Sequence, residues 1–208
     1  MARKAGSDSA ETMDAIVAAS RTILQQEGAS GLSFRKVSKR AGVSVGTIAY
    51  YFPDRAALVE ACLDAHHDWV ADELARLVGL RSAGASLEEV VKEAVQSAFR
   101  AMVSDQETLR LRRIRALEEG ELDQRRRSHS LRPALDAVAA LWTAQGASAD
   151  EARLCCQSMI FLVTRYALLS DDELLELTGA EEMAGARKRA EAHLVATALA
   201  YVAGVAEG

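Results

Sequence analysis

The chain has few of the residues that interrupt helices or that favour sheets. Only two of its 208 residues are proline and 5% are aromatic, and no sustained alternation of β-branched and polar residues occurs. A chain rich in Ala, Leu, Glu and Arg with so few breaks favours helix along most of its length. We therefore predict an all-α protein, in which a hydrophobic content of 50% suffices for a core.

Further absences exclude whole classes of protein. Three cysteines without a CxxC spacing predict reduced thiols rather than a disulfide framework. No uncharged apolar run is long enough to cross a bilayer, and the N-terminal residues lack the apolar core of a signal peptide. No nucleophile elbow or phosphate-binding glycine loop is present. We expect a cytoplasmic protein that is not an enzyme and has no cofactor and no membrane partner.

One short stretch invites a metal-site interpretation. Asp64, His66, His67 and Asp68 lie at spacings that could share an ion on one helix. No further ligand cluster accompanies them, so we expect a polar helix face and no metal.

The net charge of −5 is unevenly distributed along the chain. Up to residue 55 there are eight Lys or Arg against five Asp or Glu, a balance of +3, so the remainder carries −8. A basic end attracts phosphates while an acidic body is repelled by them. This distribution favours a nucleic-acid partner that meets only the N-terminal end.

Residues 33–52 have the pattern of two short helices joined by a tight turn. Ser33 and Ser44 are predicted N-caps, Gly42 supplies the positive φ that ends the first helix, and Val43 is an apolar anchor. The inward positions are Phe34, Val37, Ala41, Ile48 and Phe52. The intervening charges are all basic: Arg35, Lys36, Lys39 and Arg40. The pattern predicts a helix-turn-helix whose second helix fits a DNA major groove.

The continuation of this motif resembles a known family. GTIAYYFPDR, from Gly46 to Arg55 and followed by Leu58, is similar to the signature of the TetR family of bacterial transcriptional regulators. The upstream residues that fit are Ile16, Ala18, Ala19, Glu27, Gly28 and Leu32. The resemblance covers roughly residues 10–70. It implies a three-helix DNA-binding head at residues 10–70 and a C-terminal helical ligand-binding and dimerisation domain at residues 71–208.

The resemblance also implies which residues contact DNA. They are Ser33, Arg35, Gly46, Thr47, Tyr50, Tyr51 and Arg55, and we add Val45 because it lies on the outward face of the second helix. Among these, Arg35 suits a guanine edge, whereas Tyr50 and Arg55 suit phosphates. The tyrosines could instead pack on the fourth helix. Two departures from the family are Ala49, where a tyrosine is common, and Arg55, which replaces the usual lysine but keeps its charge.

Helix signals continue through the rest of the chain. We predict helices over about 11–27, 55–80, 86–103, 133–146, 148–169 and 181–203, with a break at 81–86 and an acidic break at 170–173. The N-terminal ten residues are predicted to be a frayed tail, or an arm that touches DNA. The arginines between residues 107 and 132 form either a solvated, ion-paired surface or, for one of them, a partner for an anionic ligand.

The body supplies two sets of candidate residues. A ligand pocket is predicted to involve Phe99, Met102, Arg115, Trp142, Met159, Phe161 and Tyr166, whose mostly apolar character suggests a lipophilic effector. The same residue types also suit a plain core. The dimer interface is predicted at Ile160, Val163, Ala190, Leu194, Ala198, Tyr201 and Val202.

The function that these expectations favour is a DNA-binding transcriptional regulator. As a homodimeric repressor it would bind near-palindromic double-stranded DNA and be released by a small molecule. The alternative is an all-helical interaction module whose basic helix binds a protein. Salt separates the two, because binding through phosphate contacts weakens steeply as salt rises.

Overall fold

A computed structural model describes residues 3–118, 131–144, 146 and 148–206. These residues form ten helices and no strand, which confirms the all-α prediction. The helices are α1 (Arg3–Gly31), α2 (Phe34–Ala41), α3 (Val45–Tyr51), α4 (Arg55–Ser82), α5 (Leu87–Ser104), α6 (Gln106–Glu118), α7 (Arg132–Thr143), α8 (Ala149–Ala167), α9 (Asp171–Thr178) and α10 (Met183–Ala206).

The first three helices and the start of α4 enclose a small core of their own. Ile16, Leu24, Val37, Ile48 and Leu58 are fully buried in it. Because these side chains come from all four helices, their burial fixes the angle between α2 and α3. This unit is the head.

The predicted helix-turn-helix boundaries are confirmed. The Ser33 hydroxyl accepts a hydrogen bond from the Lys36 amide, and the Ser44 hydroxyl accepts one from the Thr47 amide at 2.9 Å. Gly42 ends α2 with a φ of 72°, the left-handed conformation that glycine adopts without steric cost.

The first helix is longer than predicted. It begins at Arg3 rather than near residue 11, so the backbone of the expected frayed tail is helical. The segment contains no proline, and a packed helix propagates readily into residues that can continue it. Gly28, with φ 69° and ψ −178°, interrupts α1 at the predicted end, but one more turn follows it up to Gly31.

The body is built from α5 to α10 around a second core. Val95 and Phe99 of α5 meet Val163 of α8 and Leu194 of α10 there, and α10 also packs on α9. The capping box predicted at Ser86 is present. A smaller cluster between α7 and α8 contains Trp142.

The acidic stretch predicted as a break is a helix instead. Ser170 and Glu173 form a capping box that starts α9, and Gly179 ends it with a φ of 60°. Leu174 is buried against the body core, which anchors the helix. The Ser-x-x-Glu spacing at 170–173 is the signal that the sequence analysis overlooked.

The head and body are joined by a continuous helix. α4 runs from Arg55 to Ser82, so a domain boundary between residues 70 and 71 falls within it. The chain reverses only after Ser82, at Gly84 with a φ of 101°. The division into 10–70 and 71–208 stays a prediction.

The cysteines Cys62, Cys155 and Cys156 are free. Burial raises the pKa of Cys62 to about 12 and that of Cys156 to about 11, so both thiols are protonated at neutral pH. None of the described helices is by itself long and apolar enough to cross a membrane; α8 and α9 pass that test only as a pair bent by 111°.

Candidate nucleic-acid interface and ligand cavity

One face of α3 points away from the head core. Val45 is 46% exposed and Tyr50 is 83% exposed, and Gly46 between them is exposed as well. Ile48 and Phe52, four residues apart, are buried on the opposite face. The helix therefore presents the surface that a major groove would meet.

The hydroxyl groups beside this face are held in place. The Ser44 and Thr47 hydroxyls lie 2.8 Å apart, and Thr47 is partly buried. The Tyr51 hydroxyl lies 2.9 Å from that of Ser9 on α1, and its ring packs partly on the head core and edge-on to Tyr50. The packing role suggested for the tyrosines therefore suits Tyr51 better than Tyr50.

The basic side chains around α3 divide into two groups. Lys36 pairs with Glu27, and Arg40 donates to Gln26 at 3.5 Å. Arg35, Lys39 and Arg55 are exposed, and no side chain in the described part of the chain pairs with them. These three cations are free to bind an external anion.

Glycine at position 46 leaves the surface of α3 without a side chain. A Cβ built there would meet only the Ser44 hydroxyl, at 3.6 Å, which is ordinary contact. The fold therefore does not require glycine at this position. A backbone without a side chain lets a ligand such as DNA approach closely.

A cavity of about 440 Å³ lies in the body, with walls from α4, α5, α6, α7 and α8. Its volume is in the range of small-molecule sites. The lining is mostly apolar, with polar groups from Glu73, Arg112, Arg113, Gln157 and Thr164. The Thr164 hydroxyl lies 3.8 Å from the sulfur of Met102, which also lines the cavity.

The predicted pocket residues divide between the cavity and the packed cores. Met102, Met159 and Phe161 line the cavity. Phe99 and Trp142 are buried in core clusters, and Tyr166 packs on the body core with its ring 5.7 Å from that of His193. The Arg115 side chain lies outside the described residues.

Several lining residues were missed by the sequence analysis. Trp69 and Leu77 come from α4, the helix assigned to linking the head with the body. Arg113 comes from the arginine-rich stretch, for which a ligand-pairing arginine was one alternative. The density of arginines indicated that this stretch could contribute to a ligand site, but it did not indicate which arginine lines the cavity.

Most predicted dimer residues are buried within one chain. Val163, Ala190, Leu194 and Ala198 are core residues, and Ile160 lines the cavity. Tyr201 and Val202 pack partly against the cluster around Trp142. Side chains buried in this way are not available to a partner, so an interface on α8 and α10 must use their other faces.

The residues considered as possible metal ligands lie on α4. Asp64 and Asp68 are exposed, and the side chains of His66 and His67 lie outside the described residues. Within the described ranges, no group of three or more metal-binding side chains comes together.

Besides α4, helix α6 contacts both the head and the cavity. Arg21 of α1 donates to the Asp105 carboxylate at 2.9 Å, at the turn between α5 and α6. Asp105 is buried, and Leu111 of α6 packs against the head core while Leu109 lines the cavity. Helix α6 therefore contacts the head core on one side and the cavity on the other.

Comparison with known proteins gives one match to a family model and several similar structures. Residues 16–62 match the family described as bacterial regulatory proteins, tetR family. No curated protein matches the chain. A TetR-family transcriptional regulator from Mesorhizobium loti MAFF303099 is similar in structure, with 18% identity over 94% of this chain and 96% of that chain and a TM-score of 0.67.

Two further similar structures hold ligands. A TetR variant from Acinetobacter baumannii AYE in complex with minocycline is 16% identical, over 91% of this chain and 96% of that chain, with a TM-score of 0.60. FadR from Bacillus subtilis in complex with stearoyl-CoA is 16% identical, over 89% of this chain and 98% of that chain, with a TM-score of 0.56.

The matched segment contains α2, α3 and the parts of α1 and α4 that pack on them, which is the unit whose exposed face is described above. The described body has the fold of these regulators as well. Residues 16–62 therefore match the tetR family of bacterial regulatory proteins, and the described chain has the fold of the TetR-family regulators to which it is similar.

Proposed function

We propose that the protein is a cytoplasmic, homodimeric repressor that binds a near-palindromic operator and is released when a small molecule occupies its body. Two heads related by a two-fold axis would place their α3 helices in successive major grooves. The ligand would act by binding more tightly to a dimer whose heads are wrongly spaced.

The observation that carries this proposal is the set of free cations around the exposed face of α3. Arg35, Lys39 and Arg55 have no described protein partner, although Lys36 and Arg40 beside them do. Guanidinium and ammonium groups in this position suit phosphates and base edges. We assign Arg35 to a base edge and Lys39 and Arg55 to phosphates.

Each of the following predicted DNA contacts is assigned either to the bases or to the sugar-phosphate backbone. Val45, Gly46 and Thr47 stand at the start of α3, where a recognition helix meets the bases. Ser33 caps α2, and its exposed position suits a phosphate. Tyr50 is proposed to reach the backbone through its free hydroxyl.

The proposed dimer interface lies on the outward faces of α8 and α10. On α8, Leu154 is 70% exposed and does not line the cavity. On α10, Ala192, Ala196 and Ala200 are exposed at intervals of four residues, which allows close approach of another helix. α8 and α10 pack on each other within one chain, so two copies could form a four-helix bundle.

The proposed effector site is the cavity. Related structures hold minocycline and stearoyl-CoA, which shows that regulators of this fold accommodate unlike ligands. In this chain, α6 carries Leu109 into the cavity wall and Leu111 into the head core. We propose that this helix conveys occupancy of the cavity to the head.

Selection of duplexes from a random pool tests the function. We expect the winning sequences to share two inverted half-sites whose centres lie about one helical turn or slightly more apart. A small-molecule screen would then seek compounds that release the winner. Failure to enrich any duplex at low salt would refute the proposal, and so would a protein that remains monomeric when bound to the winner.

A further inference from the structure

The cavity wall contains a cation that pairs with no described acidic side chain. Arg113, on α6, lines the cavity and is partly buried. Its guanidinium carbon lies 5.2 Å from the centroid of the Phe161 ring, which also lines the cavity. No described carboxylate pairs with Arg113. Burial alone lowers the pKa of this side chain.

The acidic residue on the described wall already has partners. The Glu73 carboxylate accepts hydrogen bonds from Arg76 Nε at 2.7 Å and Arg76 Nη2 at 2.6 Å, and another from the Ser97 hydroxyl. The Arg76 hydrogen bonds lower the pKa of Glu73, so it is ionised at neutral pH. Its described partners are Arg76, which also pairs with Glu93, and Ser97, so the Glu73 carboxylate does not pair with Arg113.

An uncompensated guanidinium in a partly buried site is costly. Taking a cation out of water is unfavourable unless it is paired and hydrogen-bonded. The contact with Phe161 offsets only part of this cost, because an aromatic ring attracts the cation but accepts none of its in-plane hydrogen bonds. A carboxylate would satisfy the planar donor fork of the guanidinium with two parallel hydrogen bonds.

The rest of the wall suits an apolar ligand body. Trp69, Leu77, Met102, Met159 and Ile160 present aromatic, aliphatic and thioether groups to the cavity. At about 30 Å³ for each water-sized group, the cavity volume accommodates on the order of fifteen non-hydrogen atoms. That is the size of a carboxylate such as dodecanoate.

We propose that the cavity binds an amphipathic organic anion, with an aliphatic body among these apolar side chains and a carboxylate paired with Arg113. The inference rests on the proposed function only in taking the cavity as the effector site. It narrows the effector from a lipophilic compound to one that carries a single anionic head group.

The chain contains a built-in reporter for this binding. It has two tryptophans, and Trp69 lines the cavity whereas Trp142 is buried in a separate cluster. In a Trp142→Phe background, fluorescence reports Trp69 alone. We would titrate this protein, without DNA, with dodecanoate, dodecanol and dodecyltrimethylammonium below their micelle-forming concentrations, and repeat each titration by calorimetry. We expect saturable binding that is tightest for dodecanoate and weakest for the cation.

Two arginine variants on α6 test the head-group contact. Arg113→Gln should weaken dodecanoate binding about ten- to a hundredfold, as expected for loss of a charge-assisted hydrogen bond. Dodecanol binding should not change, which also shows that the variant is folded. Arg110→Gln is the matched control, because Arg110 is exposed, pairs with Glu107 and does not line the cavity. It should bind dodecanoate like the parent protein.

The inference is overturned if dodecanoate and dodecanol bind equally, if Arg113→Gln binds dodecanoate as well as the parent, or if neither method detects dodecanoate binding. A separate measurement of operator binding without the probe isolates the proposed function. A protein that binds an operator but not dodecanoate refutes this inference alone. One that binds dodecanoate through Arg113 but prefers no duplex supports it and refutes the proposed function.

Discussion

Replacing Arg55 with alanine tests the division of the free cations into phosphate and base contacts. Lys39 and Arg55 are the two cations assigned to phosphates, so a dimer carries four of them. Each neutralised phosphate contributes about −0.9 to the slope of log affinity against log salt, which gives about −3.6 for the parent. The Arg55→Ala dimer keeps two such contacts, and its slope should be about −1.8.

These slopes correspond to a difference that is easily measured. Between about 50 and 200 mM salt, the parent should lose about a hundredfold in affinity and the variant about tenfold. Fluorescence anisotropy with the selected operator and with a random duplex gives both slopes. Because a phosphate contact carries no sequence information, Arg55→Ala should weaken binding to both duplexes at low salt.

Two further variants serve as a control for the salt dependence and as a test of the base contact. Arg132→Ala removes an exposed arginine of α7, far along the chain from the head, and should leave the slope unchanged. Arg35→Ala should reduce operator affinity more than affinity for the random duplex, since a bidentate guanine contact discriminates by about 1–3 kcal/mol. An unchanged slope in Arg55→Ala, or a loss confined to the operator, would refute the phosphate assignment.

Further variants test the proposed recognition helix α3, the proposed dimer interface, and the contact between Arg21 of the head and Asp105 of the body. Gly46→Ala should unfold at an equal or higher urea concentration than the parent, since alanine favours helix over glycine by up to about 1 kcal/mol. The same variant should bind the operator more weakly. Unimpaired binding would exclude a close approach of DNA to the backbone at Gly46. Leu154→Glu should lower the molecular mass measured by light scattering towards that of a monomer, whereas the control Leu177→Glu, on α9, should not. A dimer that is lost in Leu177→Glu but kept in Leu154→Glu would place the interface elsewhere. A double-mutant cycle of Arg21→Ala and Asp105→Ala, followed by urea unfolding, should show a coupling of about 1–3 kcal/mol; additive effects would mean that the ion pair contributes nothing.

The head could be predicted from the sequence because its signals are local. Each cap, Ser33 or Ser44, acts on an amide three residues away, and Gly42 acts on its own backbone. The pairing of Lys36 with Glu27 is different, because it joins two helices across nine positions. Sequence alone therefore gave the basic character of the surface but not which cations remain free.

The cavity could not be predicted residue by residue for a related reason. Phe99 and Phe161 are the same residue type on amphipathic helices, yet one fills the body core and the other lines the cavity. Only the packing of α4 to α8 distinguishes them, and α4 was assigned to a linking role. The same limit applies to Leu194, whose apolar character suits either a core or an interface.

The sharing of α6 between head and body sets a limit on modular engineering. A chimera that joined this head, after α4, to the body of a protein with the same fold would leave Asp105 and Leu111 behind. Arg21 would then lose its acidic partner, and the head would lose a leucine that covers its core. A transplant of DNA specificity should therefore carry the head-facing residues of α6 along with it, or else graft only the exposed side chains of α2 and α3.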